Sequence, residues 1–260
     1  MTLEGVFVRD GGRFRATEIA LGPWYEGALH GGAPAALLVH AVTAAAPDPQ
    51  LRLARLSCDF VRPVLLGELS IAVDVVRPGR RVTLLDAFMR DGEGTEVGRA
   101  RALLLRTSEV GEPAHSPPPF AGPETGRPND FHLSGGRPMF ATHAIELRFV
   151  EGSFREPGPA TAWFRLRHPV VAGEPQSPLE LVAAAGDFGN GISSVLSWEN
   201  HLFINPDLTL HIEREPVDEW VALQAQTRVE VGSVAVAESV LWDRQGRIGR
   251  ATQSLLVDRR

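Results

Sequence analysis

The sequence predicts an α+β protein made of two fused copies of one unit, each an antiparallel sheet wrapped around a long buried helix. The first observation is an internal repeat, because two β-rich stretches match at a constant separation along the chain. Three pairs of identical residues hold this separation: Glu68 with Glu219, Arg77 with Arg228, and Gly98 with Gly249. The second observation is an apolar segment of helical length in each copy. A register that holds across three landmarks indicates a repeated architecture.

The first copy begins with a predicted hairpin, in which strand-like residues 5–9 and 13–17 flank a turn at Asp10-Gly11-Gly12. Residues 30–42 are rich in Ala and Leu and carry no formal charge, which predicts a buried helix. Pro34 is tolerated there because the N–H groups of a first helical turn have no intrahelical partner. Three β-rich runs follow within residues 53–105.

The second copy repeats this order of elements. Residues 144–150 and 160–166 alternate as strands do. Ser177 is a suitable N-cap, and Pro178, Glu180 and an apolar run after it predict the second buried helix. Further strands begin at residue 208 and end at residue 257.

A stretch rich in proline and glycine separates the two copies. Residues 111–128 include three consecutive prolines and several glycines, a composition that does not support regular structure. We therefore predict an N-terminal unit over residues 1–110, a linker over 111–138 and a C-terminal unit over 139–260.

Composition excludes several classes of function. The 26 basic residues are all arginine, which removes Schiff-base chemistry and the lysine of a phosphate-binding loop. The net charge of -6 disfavours general nucleic-acid binding.

No apolar run reaches the roughly 20 residues that span a bilayer, and the first residues lack the basic start of a secretory signal, so we expect a cytoplasmic protein without a membrane partner. Cys58, the single cysteine, reads as a small strand residue rather than a nucleophile. No metal or cofactor is predicted.

Five short motifs, in order along the chain, carry a resemblance to a known family. They are His30-Gly31-Gly32, Asp59-Phe60-Val61-Arg62-Pro63, Asp187 after Pro178-Leu179-Glu180-Leu181, Arg214-Glu215-Pro216 with Glu219-Trp220, and Gln253. Nearly the whole chain resembles the type II acyl-CoA thioesterases, a family with the double hotdog fold. The resemblance implies an acyl-CoA substrate, and a hydrolytic water held by an Asp, a Gln in the last strand, and a Ser or Thr between them.

Asp187 and Gln253 occupy the first two of these places. Asp187 ends an apolar helix, where a carboxylate is suited to accept a proton from water, although Asp is also ordinary in a C-cap turn. Gln253 falls on Ala102 when the repeat separation is applied, so a polar residue stands in one copy only. If the last strand alternates, Gln253 points inward with Leu255 and Val257; the alternative places it on the solvated face.

The third place departs from the family pattern. Alignment on Pro216 puts the hydroxyl residue near Asn205 or Pro206, where this chain has no Ser or Thr. Asn205 is the first choice for this position and Thr209 the second.

Three groups of residues are candidates for binding substrate. His30, Gly31 and Gly32 open the first helix, whose N–H groups suit a thioester carbonyl, and glycines would allow close approach; a tight turn is the alternative. The helix start of one copy could face the Asp of the other. Arg77, Arg80 and Arg81 could meet CoA phosphates, or form a solvated turn. Trp24 and Tyr25 could line an acyl pocket, or be core aromatics.

Two other functions stay open at this stage. Gly186-Asp187 followed by Asn190 approaches the pattern of hotdog enoyl-CoA hydratases, without its His and with spacing one residue too long. A non-catalytic acyl-CoA or lipid-binding protein would suit the missing hydroxyl.

The exposed sheet edges of two fused units also predict a homo-oligomer, with a dimer favoured.

Overall fold

A computed structural model gives the fold for residues 5–108, 111, 116–129, 137–232 and 234–260. Residues 5–108 of the first half contain one long helix and six strands: β1 (Phe7–Asp10), β2 (Arg13–Ala16), α1 (Gly32–Ala44), β3 (Leu51–Asp59), β4 (Glu68–Arg77), β5 (Val82–Asp91) and β6 (Glu96–Arg106). The predicted hairpin and buried helix are confirmed. The β-rich region beyond the helix forms four strands rather than three runs.

The second half has the same order with additions. Its elements are β7 (Arg127–Pro128), β8 (Ile145–Ser153), β9 (Glu156–Leu166), α2 (Pro178–Gly186), α3 (Gly189–Ser193), β10 (His201–Ile204), β11 (Asp207–Ile212), β12 (Val221–Val229), β13 (Val234–Asp243) and β14 (Gly246–Arg259). The predicted cap of α2 is present, because Ser177 Oγ accepts from Leu179 N and the Glu180 carboxylate accepts from Ser177 N, at 3.3 and 3.2 Å.

The strands form one continuous antiparallel sheet across both halves. Its order is β1-β2-β4-β5-β6-β3-β11-β14-β13-β12-β9-β8-β7, with β10 paired to β14. The halves join where β3 and β11 pair, with Ser57 opposite Thr209. The strands β4 to β6 and β12 to β14 correspond in order, which confirms the repeat and the double hotdog architecture.

The two long helices pack against each other inside this sheet. Gly32 lies at the contact, since a Cβ there would be 2.5 Å from Ala184 O. A buried polar contact also crosses between the helices, where His40 Nδ1 is 2.9 Å from Glu180 Oε1. The main hydrophobic core draws residues from both halves, so the two units share one interior.

The described part of the predicted linker packs on the second half. Trp163 Nε1 donates to Ala121 O at 2.9 Å, and the Phe120 ring meets Trp163 and Trp242 with centroids 5.9 Å away. Residues 127–128 pair with β8, so this segment contains a short strand that its composition did not predict. The rest of the predicted linker, 112–115 and 130–136, lies outside the described residues.

Across the described ranges, the helices are all too short or too polar to cross a membrane.

Candidate active site

Asp187 is the centre of a cluster of polar side chains at the C-terminal end of α2. It is buried, and one carboxylate oxygen, Oδ1, accepts from Asn205 Nδ2 at 2.7 Å and from Gln253 Nε2 at 3.2 Å. The other oxygen, Oδ2, lies 3.0 Å from His30 Nδ1. Two amide donors on one oxygen fix the plane of the carboxylate and leave the other side of the group toward His30.

Gln253 reaches Asp187 because β14 alternates between core and solvent. Gln253, Leu255 and Val257 are buried, whereas Ser254 and Leu256 are exposed. The side chain therefore points inward, as the alternation predicts. Its Nε2 also lies 3.1 Å from Asp187 O, and its Oε1 accepts from Asn190 N at 3.2 Å.

Asn205 and Thr209, the two choices for the third position, have different surroundings. Asn205 sits in the turn between β10 and β11 and contacts Asp187 directly. Thr209 faces the opposite side of the sheet, because Leu210 beside it packs toward Gly186 of α2. Its Oγ1 donates to Ser57 Oγ at 3.3 Å. The structure brings Asn205 to the carboxylate and leaves Thr209 away from it.

The first half contributes the start of α1 to this cluster. Gly31 lies against Asp187, since a Cβ on it would be 2.8 Å from both carboxylate oxygens. Gly31 thus makes room for the Asp187 carboxylate, and Gly32 makes room for the Ala184 carbonyl. Neither glycine lines the cavity beside Asp187. The sequence suggests that these glycines let substrate approach the backbone. In the structure they instead allow the two halves to pack closely.

The His30 ring lies beside the Asp187 carboxylate and is held there by neighbouring aromatic rings. Its ring stacks on Phe188 with centroids 4.5 Å apart and lies 5.2 Å from Phe140. Nδ1 is 3.1 Å from Gly32 N and 3.0 Å from Asp187 Oδ2. One nitrogen cannot accept from Gly32 and donate to Asp187 together, so the tautomer decides which contact is a hydrogen bond.

A cavity of about 460 Å³ opens beside Asp187, His30 and Asn205. Its wall is largely aromatic and apolar, with Trp24, Tyr25, Met139, Phe154, Trp198 and Phe203 among its residues. Trp24 packs against Trp198 with ring centroids 5.1 Å apart, which joins the two halves across the cavity. Trp24 and Tyr25 thus line a pocket, and the 49% exposure of Tyr25 places it toward solvent. Gln253 lies behind Asp187 and does not line this cavity.

The arginines that sequence singled out are elsewhere. Arg77, Arg80 and Arg81 are exposed at the turn between β4 and β5 and do not line the cavity. The carbonyl oxygens of Arg80 and Arg81 accept from Arg106, which is the behaviour of a solvated turn. Phosphate binding at this cavity by those three side chains is not supported.

Two other arginines line the cavity, Arg137 and Arg260. The Arg260 guanidinium lies 5.9 Å from the centroid of the Trp24 ring. Neither arginine stands in a motif, so the sequence pattern gave no signal for them.

Other chemistry has little support at the site. Burial, together with the nearby carboxylates of Asp59 and Asp187, raises the pKa of the Cys58 thiol far above its ordinary value, which keeps it a structural residue. Among the described residues, no three His, Cys, Asp or Glu side chains cluster closely enough to hold a metal ion.

Solved structures share this fold over nearly their whole length. A candidate thioesterase II from Thermobifida fusca YX is 20% identical, with 99% of this chain and 96% of that chain covered and a TM-score of 0.75. A hot dog fold protein of unknown function from Alicyclobacillus acidocaldarius is 16% identical, with 97% and 95% covered and a TM-score of 0.74. The acyl-CoA thioesterase II TesB2 from Mycobacterium marinum is 16% identical, with 97% and 94% covered and a TM-score of 0.67.

Comparison with sequence families assigns both halves. No curated protein matches the chain significantly. The acyl-CoA thioesterase N-terminal domain matches residues 20–105, and the acyl-CoA thioesterase C-terminal domain matches residues 113–257. These two matches cover most of the chain, which therefore belongs to the acyl-CoA thioesterase family.

Proposed function

We propose that the protein hydrolyses acyl-CoA thioesters to a free carboxylic acid and CoA, with Asp187 as the general base for a single water molecule. The observation that carries this proposal is the position of the Asp187 carboxylate. It opens on the cavity, is held by two amide donors, and faces the start of α1 from the other half.

Asn205 takes the place of the family's hydroxyl residue in this proposal. Its Nδ2 donates to Asp187 Oδ1, which leaves its own carbonyl oxygen free to accept a hydrogen from the attacking water. Gln253 has a different part from the one that the resemblance implies. Because it lies behind Asp187, it positions the carboxylate rather than contacting the water.

The start of α1 acts on the thioester carbonyl through its field rather than by direct contact, because His30 lines the cavity there and Gly31 and Gly32 do not. The N-terminal end of a helix carries a partial positive charge, which stabilises the negative oxygen that develops during attack. In the reaction, the water oxygen bonds to the carbonyl carbon while Asp187 takes its proton. The C–S bond then breaks, and the proton passes to the CoA thiolate.

The aromatic wall of the cavity suits the apolar part of an acyl group. Burying each methylene contributes about 0.8 kcal/mol, so the depth of this wall sets the preference for chain length. Arg137 and Arg260 line the same cavity, and in this proposal they bind the CoA phosphates in place of Arg77, Arg80 and Arg81.

Release of CoA thiol from short, medium and long acyl-CoAs tests the proposal. The parent protein should release thiol, and Asp187→Asn should lose activity by about 10² to 10⁴, the usual cost of a missing general base. Asp74→Asn, which changes an exposed carboxylate on β4, is the matched control and should match the parent. A folded Asp187→Asn protein that works at the parent rate would refute the assignment of the base.

The hydratase alternative has less support at this site. Asn190 lines the cavity, but Gly191 and Ile192 follow it, so the His of the hydratase pattern is missing. Addition of water to an enoyl-CoA with no thiol release would favour the hydratase, and tight binding without either product would favour a binding protein.

Self-association and cellular location stay predictions. We propose a homodimer, which light scattering after size-exclusion chromatography would detect as twice the chain mass. Cytoplasmic location and a role in fatty acid metabolism are proposed on the sequence alone.

A further inference from the structure

A chain of buried polar groups continues behind Gln253, away from the cavity. Gln253 Oε1 accepts from the backbone N–H of Asn190, in the first turn of α3. At the other end of α3, Ser193 Oγ donates to Gly189 O at 2.8 Å and lies 2.9 Å from Thr227 Oγ1 of β12. Ser193, Thr227 and Gln253 are all at most 3% exposed.

The Asn190 N–H decides which way the Gln253 amide points. A backbone N–H can only donate, so it holds Oε1 beside Asn190 and directs Nε2 toward Asp187. A flipped amide would put its oxygen against a carboxylate oxygen, two acceptors with no hydrogen between them. Gly189 also packs closely against the Gln253 amide, because a Cβ on Gly189 would be 3.0 Å from Gln253 Oε1.

The position of α3 depends on its anchors. A helix of five residues is too short to be stable by itself, so tertiary contacts must hold it. The hydroxyl pair of Ser193 and Thr227 is such a contact, and Thr227 Oγ1 also lies 3.5 Å from Asn190 Oδ1. Removing the Thr227 hydroxyl leaves Ser193 bonded only within α3, to Gly189 O, and so breaks the polar contact that ties α3 to β12.

We infer that Ser193 and Thr227 are positioning residues, whose hydroxyl pair holds α3 so that Asn190 directs the Gln253 amide onto Asp187. Their role in hydrolysis rests on the proposed function. Neither residue lines the cavity, so their removal should lower kcat and leave KM unchanged.

The test compares Thr227→Val, which keeps the shape of the side chain and removes the hydroxyl, with Thr227→Ser, which keeps the hydroxyl. A misplaced catalytic group costs up to about hundredfold in rate, so we expect kcat of Thr227→Val to fall by about ten- to hundredfold and Thr227→Ser to recover most of it. Thr83→Val is the matched control, because Thr83 is also buried and donates to a backbone carbonyl, Gly79 O, in the first half. It should keep the parent kcat.

Two further results separate this inference from the proposed function. In an active parent, Thr227→Val with unchanged kcat, or a Ser193→Ala/Thr227→Val protein whose loss is the product of the single losses, would overturn the paired role. A parent that releases no thiol would overturn the proposed function and, with it, the role in hydrolysis. The positioning itself is read by NMR, from the side-chain amide signals of Gln253, assigned by their absence in Gln253→Glu. Signals that stay unmoved in Thr227→Val would overturn it whether or not the protein is active.

Discussion

The imidazole of His30 lies 3.0 Å from the carboxylate of Asp187, although the two residues belong to different halves of the chain. Each is brought there by a helix end, His30 just before α1 and Asp187 just after α2. The two helices pack against each other, so their ends meet beside one cavity. The site is therefore composite, and neither half contains it alone.

Gly31 lies directly against the Asp187 carboxylate where the two helix ends meet. A Cβ at this position would lie 2.8 Å from both Asp187 oxygens, closer than real Cβ contacts come. We predict that Gly31→Ala displaces the carboxylate and lowers kcat by about tenfold or more, with a loss of about 1–3 kcal/mol in unfolding free energy from overpacking. Thiol release and urea unfolding measure the two effects.

Gly12→Ala is the control for that substitution. Gly12 lies in the first hairpin turn without a positive φ, and a Cβ there would meet no atom within 4 Å. Its activity should equal that of the parent. Full activity in Gly31→Ala would show that Asp187 can move without consequence for the reaction.

Asn205 should tolerate only replacements that can hydrogen-bond both the carboxylate and a water. We predict that Asn205→Leu lowers kcat by about 10- to 100-fold, because Asp187 Oδ1 loses its shortest donor. Asn205→Thr restores a hydroxyl of the kind that the family pattern has, and should keep activity within a few-fold of the parent. Steady-state kinetics on one acyl-CoA compares the two, and equal rates for the Leu and Thr variants would contradict a polar role for this side chain.

Local patterns in the sequence predicted the elements but only part of the site. The alternation of β14 gave the inward direction of Gln253, and the cap at Ser177 gave the start of α2. Both depend on residues close in sequence. The repeat added the overall architecture, since identical landmarks at one separation require two similar units.

The parts that sequence missed are contacts between distant segments. The stacking of His30 on Phe188 leaves no periodic trace, and the same holds for Arg260 beside Trp24. The sequence predicts that the glycines at the start of α1 let substrate approach the backbone, whereas their partners in the structure are Asp187 and Ala184. A glycine shows that something comes close, but its neighbour is known only from the fold.

Trp198 should control the preference for acyl chain length. Its ring packs against Trp24 and Phe203 in the cavity wall, with centroids 5.1 and 4.8 Å away. We predict that Trp198→Ala raises KM for medium and long acyl-CoAs more than for acetyl-CoA, because each methylene that loses contact forfeits up to about 0.8 kcal/mol. The ratio of kcat/KM along the acyl series measures this, with Trp198→Phe as the graded control. A uniform change along the series would place the acyl group elsewhere.

The pair of His40 and Glu180 should stabilise the contact between the halves. His40 Nδ1 is 2.9 Å from Glu180 Oε1, and these side chains are only 11% and 3% exposed. His40→Leu leaves the carboxylate buried with one partner fewer, so we predict a loss of about 3 kcal/mol in unfolding free energy. His40→Leu/Glu180→Gln, which removes the buried charge and keeps an N3 side chain that can accept from Ser177 N, should recover part of that loss. Denaturant unfolding checks both, and Arg13→Leu, which breaks an exposed pair with Glu68, should cost less than about 1 kcal/mol.

Asp243 should make the protein sensitive to acid. Burial opposes ionisation of this fully buried carboxyl group, yet the Arg214 guanidinium and the N–H groups of Val217 and Gln245 outweigh it and lower its pKa. Because the folded state has the lower pKa, the stabilisation is complete above the unfolded value of about 3.9 and is lost as the pH falls through the folded value. We predict that the parent loses unfolding free energy steadily below about pH 4, the region where unfolded Asp begins to bind protons.

Asp243→Asn should already be less stable at pH 7 and lose less on acidification, since it has no carboxylate to protonate at this position. Urea unfolding of both proteins from pH 7 to pH 3 measures the difference, and parallel curves over that range would mean that another carboxylate governs the acid response.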